Sequence, residues 1–282
     1  MISFNEKSHK YVHEETGNVL HGWTSLIKNY TDVFDSDLQK IASAYSMYLG
    51  SKEYVALKFG RFKNEPIEEF IKFLQKNFGP VPESYIKEID FEWSYAAILG
   101  SNFHLKLEAE SYERGFEINP FTGESYTTIA SEKKFDNQSL LDDLYKLEDG
   151  YYPELLVWDN TMGQGHTPVT MIDKCFIKTE NNIRYVDVDD IKSNKSIWNG
   201  KDKKMRGVLS SLYDNTEEKY KLQACFGAKL MSTFGFKPRY CGFTHYKNYD
   251  KTKSKLYLAK YDEKLMDNFQ NDWKTNIYNT ID

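Results

Sequence analysis

The chain has 282 residues, 42 acidic against 37 basic side chains, a formal net charge of −5 and 16% aromatic residues, mostly Tyr and Phe. This balance excludes a general cationic coat for nucleic acid, so any such contact must be concentrated in local basic patches. Cys175, Cys225 and Cys241 stand far apart with no CxxC pair, which argues against a disulfide framework, a cysteine-ligated zinc or an iron–sulfur cluster and suits a reducing, cytoplasmic setting.

The opening Met1–Lys7 has no apolar core, and no run is long enough to span a bilayer, so neither a secretory leader nor a membrane anchor is expected. In residues 1–30, Ser8 to His13 and Val19 to His21 flank a Glu-Glu-Thr-Gly-Asn turn and predict a small hairpin. Thr24 or Ser25 is then placed to cap a helix through Leu26 and Ile27. His9, His13 and His21 have no carboxylate partner at helical spacing and read as solvated or structural.

Residues 31–115 carry helix-spaced apolar residues, first Leu38, Ile41, Ala42 and Tyr45, then Ile67, Phe70, Ile71 and Leu74. Gly79-Pro80 breaks the pattern, and Pro82-Glu83-Ser84 opens the next helix. These helices are expected to form a cap or arch that narrows access to a neighbouring sheet. Gly100 would let a helix start or pack closely. His104 and Glu108, four apart, share a helical face, either as a metal ligand and its supporting carboxylate or as a surface ion pair.

Residues 119–146 read as a loop followed by a short polar helix, with Asp136-Asn137-Gln138 among the irregular parts. Tyr151 to Trp158 is a strand ended by the turn signal Asp159-Asn160. It carries Glu154, which faces either a carboxylate cluster or solvent.

A hairpin follows, with strands from Val169 to Asp173 and from Tyr185 to Lys195 and a polar turn at Glu180-Asn181-Asn182. Strand alternation puts Asp190 and Lys192 on one face and Ile191 on the other. If Asp173 lies opposite, two carboxylates and an ammonium converge, and the repulsion between the carboxylates calls for a proton or a divalent cation. The competing reading is a surface hairpin with a salt bridge. Asp187 and Asp189 fall outside this grouping, so Asp187→Ala is expected to be mild.

Lys195, Lys201, Lys203, Lys204 and Arg206 continue from Lys192 and surround Trp198, as a solvated loop or as phosphate contacts with an indole able to stack on a base. Asn215-Thr216 opens a helix bearing Tyr220, Gln223, Phe226, Leu230 and Met231. Strands at Arg239–His245 and Lys255–Ala259 come next, and an amphipathic helix within residues 261–282 closes the chain on Leu265, Met266, Phe269 and Trp273.

The ordered set Gly100-x-x-x-His104-x-x-x-Glu108, Glu154, Ile172-Asp173, Asp190-Ile-Lys192 and Tyr220-x-x-Gln223 resembles the PD-(D/E)XK nuclease superfamily. The nearer likeness is to the branch of the RecB nuclease domain, lambda-type exonucleases and the mitochondrial genome maintenance exonuclease. The opening His9-Lys10-Tyr11 and Trp23-Thr24-Ser25-Leu26-Ile27 resemble small phage-encoded members. The resemblance implies an α/β fold with a restriction-endonuclease-like core, a central mixed sheet flanked by helices, over residues 98–260 of a single nuclease domain with an N-terminal helical cap.

It further implies that His104, Asp173, Asp190 and the carbonyl of Ile191 hold Mg²⁺ or Mn²⁺, while Lys192 orients the attacking water or stabilises developing charge. Glu154 and Glu108 would support a second ion or the outer shell, and Ser193 keeps the hydroxyl usual after the lysine. Gln223 and Tyr220 would lie toward nucleic acid. The Tyr usual four residues after the Gln is replaced by Gly227. The expected activity is metal-dependent hydrolysis of DNA from ends or single strands in recombination, replication or repair, alongside proteins of those processes. A structure-specific endonuclease and a catalytically silent binding subunit are the alternatives.

Overall fold

The computed structural model describes residues 2–5, 10–13, 17, 19–32, 34–63, 65–129, 144–159 and 167–279. They divide into two compact units, one of Met1–Asp32 with Asn102–Asp282 and one of Val33–Ser101. No helix among the described residues is long and apolar enough to cross a membrane.

The smaller unit is helical. It holds α2 (Ser36–Leu49), α3 (Ser51–Ala56), a π-helical turn at Leu57–Arg61, α4 (Ile67–Phe78) and the first part of α5 (Glu83–Arg114). Asp35 caps α2, accepting from the Asp37 and Leu38 amides. The helix-spaced residues Ala42, Tyr45, Phe70, Ile71 and Leu74 are buried together with Tyr54 as one core. Gly100 lies inside α5, which runs through it unbroken, so it starts no helix.

The larger unit is α/β. Its strands are β1 (Ile2–Asn5), β2 (Lys10–His13), β3 (Val19–Gly22), β6 (Gly150–Trp158), β7 (Pro168–Glu180), β8 (Ile183–Lys192), β9 (Lys237–Tyr246) and β10 (Ser254–Ala259). They form a mixed sheet in the order β1-β2-β3-β7-β8-β9-β10, with β6 also paired to β7. The β3–β7 and β8–β9 pairs are parallel and the others antiparallel. The N-terminal hairpin thus gains a further strand, β1. Its following helix α1 (Trp23–Ile27) starts at Gly22 without a side-chain cap, so neither Thr24 nor Ser25 plays that part.

One sheet face packs on α1, α6 (Thr216–Ser232) and α7 (Glu263–Asn279). The rings of Trp23, Phe226, Phe269 and Trp273 interlock here, with centroids 4.8 Å apart for Phe269 and Trp273. Gly227 lets α6 approach the sheet, because a Cβ there would stand 3.0 Å from Ile172 Cγ1. That crowding leaves no room for the aromatic residue that the motif would place at 227. The other face meets Phe103 of α5 through Tyr246, and Tyr126 of a small hairpin, β4 (Phe116–Ile118) with β5 (Ser125–Thr127), through Phe176. The expected polar helix around Asp136-Asn137-Gln138 lies outside the described residues.

The two long hairpin strands meet at Asn181-Asn182, both in left-handed backbone (φ 52° and 63°), a two-residue turn whose twist matches that of the strands. Pairing continues from Glu180–Ile183 to Lys174–Asp189, so the residues expected as a charged connection extend both strands.

A carboxylate cluster where the sheet forks

β6 occupies one edge of β7 from Val169 to Ile177. β3, which meets β7 at Pro168 and Val169, and β8, which meets it from Lys174 onward, therefore share the other edge. Between them β8 leaves β7 after the Lys174–Asp189 pair, and the sheet forks. The next residues in register are Asp173 and Asp190. They stand at the mouth of the fork, where Ile191 N–H turns inward to donate to Asp173 Oδ2 at 2.6 Å.

The other side of Asp173 is equally irregular. Pro153 pairs with Lys174 and Leu155 with Ile172, which places Glu154 opposite Asp173 in a step that the ladder skips. Glu154 has φ 49°, left-handed backbone within a strand. Tyr152, Leu155 and Val157 all join the same core, although regular alternation would send 152 and 155 to opposite faces. The register is the same on either side, so the side-chain alternation reverses at Glu154 without a slip, and its Oε1 comes to lie beside His104. Glu154 is part of the cluster and does not face solvent as an edge residue.

His104 of α5 completes the group. Its Nδ1 lies 3.6 Å from Glu154 Oε1 and 3.7 Å from Asp173 Oδ2. One ligand atom from each of His104, Glu154 and Asp173 falls within 4.8 Å of the other two. Neither Asp190 nor Glu108 belongs to that set, and the Ile191 contact given above is made by its amide. Asp190 instead forms an ion pair with Lys192, whose Nζ lies 2.5 Å from Asp190 Oδ2.

Burial, joined by neighbouring carboxylates, pushes Asp173 upward from the carboxylate range, and Asp190 up to about 7, against the pull of His104 and Lys192. Burial opposes protonation of His104, but Asp173, Glu154 and Asp190 together raise it to about 9. Lys192 is raised likewise, its desolvation outweighed by Asp190 and Asp173. The cluster is short of positive charge.

The donors fit a hard divalent cation. Bonds of about 2.0–2.1 Å in octahedral geometry put neighbouring and opposite ligands about 3–4 Å apart, near the spacing found.

Lys192 is held from α6. Its Nζ donates to Gln223 Oε1 at 3.3 Å and lies 4.6 Å above the Tyr220 ring, while Tyr220 Oη accepts from Asn194 Nδ2 at 2.7 Å. His245, in register with Lys192, places Nε2 2.7 Å from the Asn194 carbonyl. Gln223 and Tyr220 are thus turned onto the lysine. Sequence reasoning singled out neither Asn194 nor His245, because their roles depend on the β8–β9 register. Tyr11 was also missed as a site residue: burial, then Glu154 and Asp173, push its hydroxyl up to about 12.

The other two aspartates of β8 serve the reverse face. Asp187, fully buried, accepts from Arg239 Nε at 3.0 Å and Nη2 at 2.7 Å, from Asn119 Nδ2 at 2.8 Å and from the Tyr240 amide at 3.2 Å. Removing it strips four hydrogen bonds from a buried carboxylate site and leaves Arg239 the longer Glu180 pair at 3.4 Å, so the expectation that Asp187→Ala is mild is corrected for stability. Asp189 accepts from Thr244 Oγ1 at 2.8 Å, and burial raises it to about 7 despite nearby Lys174.

The basic run is partly neutralised. Lys203 and Arg206 pair with Asp32 at 2.8 and 2.6 Å, and Lys204 donates to the Ser211 carbonyl. Lys195 and Trp198 are exposed, and Ser193 is half-buried directly after β8. In comparisons with known proteins, the chain matches no protein-family model, no curated protein and no solved structure.

Proposed function

We propose that the chain is a metal-dependent DNA nuclease with a restriction-endonuclease-like core of the PD-(D/E)XK kind, acting on DNA ends or single strands in recombination, replication or repair. The observation that carries this reading is the fork of β7, where carboxylates from three adjacent strands meet one histidine and one half-buried lysine. A structural ion-pair network would balance its charges, whereas here three carboxylates face one imidazole and one ammonium.

His104, Glu154 and Asp173 would hold Mg²⁺ or Mn²⁺ with Asp190 beside them, the imidazole tilting preference toward Mn²⁺. When bound, such an ion supplies a water of lowered pKa and neutralises phosphate charge. Lys192 offers a fixed ammonium for the charge that develops on phosphate oxygens during in-line attack. Gln223 and Tyr220 restrain that ammonium, and Asp190 keeps it protonated. The Ile191 amide fixes the orientation of Asp173.

The test is cleavage of linear DNA by purified protein. Activity should require Mg²⁺ or Mn²⁺, stop in EDTA, and disappear in Asp190→Ala and Lys192→Ala. Wild-type cleavage by the Asp190 variant would contradict the assignment. Cutting of covalently closed circles would replace end-dependent digestion by endonuclease action.

A further inference from the structure

The loop after β8 contains a surface unlike the rest of the basic run. Trp198 is 50% exposed, yet it is not loosely placed. A Cβ on Gly200 would stand 2.4 Å from Trp198 Cζ2 and 2.8 Å from Nε1, so only glycine at 200 lets the indole lie against the chain. The indole rests against Gly200 on one side, and half of the residue stays open to solvent.

The loop itself is tied to the start of α6. Glu217 N–H donates to the Trp198 carbonyl at 3.1 Å, and Asn215 Nδ2 donates to the Gly200 carbonyl at 2.8 Å. The same helix carries Tyr220 and Gln223 against Lys192. A half-exposed indole is thus anchored to the element that positions the lysine of the site. Lys195, three residues earlier, is exposed and has no ion pair among the described residues, whereas Glu217 is neutralised by Lys221 at 2.6 Å.

A pre-ordered indole loses little conformational freedom on stacking, and every nucleobase offers a π-face once it is unpaired. We propose that Trp198 is a stacking platform for an unpaired base of single-stranded DNA, with Lys195 at the adjoining phosphate. The substrate is then a single strand or a frayed end in preference to intact duplex. The proposal deepens the nuclease reading and rests on it for the cleavage step, but binding at Trp198 requires no metal.

Binding is therefore measured in EDTA, by anisotropy of a labelled oligothymidylate and of a closed DNA hairpin duplex. Trp198→Ala should weaken oligothymidylate binding roughly tenfold or more and Trp198→Phe no more than about threefold, with duplex binding unchanged within about twofold. Gly200→Ala, which displaces the ring without removing it, should also weaken single-strand binding. Oligothymidylate should quench a component of tryptophan fluorescence that is missing from Trp198→Phe.

The proposal is overturned if wild-type protein does not bind oligothymidylate, if Trp198→Ala binds it as tightly as wild type, or if single-strand and duplex affinities fall in equal proportion. Trp198-dependent binding without any metal-dependent cleavage would preserve the platform and remove the nuclease reading. Cleavage with binding indifferent to Trp198 would do the reverse.

Discussion

Glu154 holds left-handed backbone (φ 49°) inside a strand, a conformation costing a non-glycine residue about 1–2 kcal/mol. The strain is local and testable. Glu154→Gly should be more stable to urea than Glu154→Ala by about 1 kcal/mol, the reverse of the order at an ordinary strand position. Both variants should lose metal-dependent activity, since each removes a carboxylate from the cluster. Equal stabilities would mean that the left-handed backbone at residue 154 carries no strain.

Lys192 gives a second prediction at this scale. Lys192→Arg should not restore activity, because the guanidinium fork cannot reproduce a point charge wedged between Asp190, Gln223 and the Tyr220 ring. Gln223→Ala should lower kcat by about tenfold, with KM changed much less, since it loosens a charge needed chiefly in the transition state. A change confined to KM would move Gln223 to substrate binding.

β8 is the element on which the faces divide. Asp190 and Lys192 serve the fork, while Asp187 and Asp189 anchor the reverse face through Arg239 and Thr244. Asp187→Ala should therefore lose about 1–3 kcal/mol of stability in urea denaturation while retaining metal affinity, because it removes the two short hydrogen bonds of a partly buried guanidinium and leaves it the longer Glu180 pair. A stability change below about 1 kcal/mol would show that Arg239 finds solvent instead.

The alternation of β8 was legible in the sequence, as were the turn at Asn181-Asn182 and the Asn215 cap. The reversal of alternation at Glu154 was not, because Glu has no preference for left-handed backbone and only its φ and the core shared by Tyr152 and Leu155 reveal it. Asp187 misled for a related reason. An Asp alternating with Val reads as a solvent-facing strand, and its partner Arg239 is 52 residues away. The continuity of α5 through Gly100 followed from neighbours that outweigh a single glycine's propensity.

At the scale of the whole molecule, the helical unit and the α/β unit bury separate cores. Leu74, fully buried in the first, should cost about 2–5 kcal/mol when replaced by Ala, with faster hydrogen exchange across α2 and α4. Metal affinity at the fork should be unaffected, as expected for sites that share no partners. For the proposed DNA binding, the net charge of −5 and the hold of Asp32 on Lys203 and Arg206 predict that affinity, measured by anisotropy, falls only shallowly with salt.

The central claim is that the fork of β7 is a metal site that hydrolyses DNA, and Asp173 stands at its centre between Glu154, His104 and the Ile191 amide. The most direct measurement is the cleavage rate of linear DNA by Asp173→Asn relative to wild type at saturating Mg²⁺. The account predicts metal-dependent cleavage by wild type and a loss of about a thousandfold or more in the variant, with the fold retained. Equal rates, or cleavage that persists in EDTA, would contradict it.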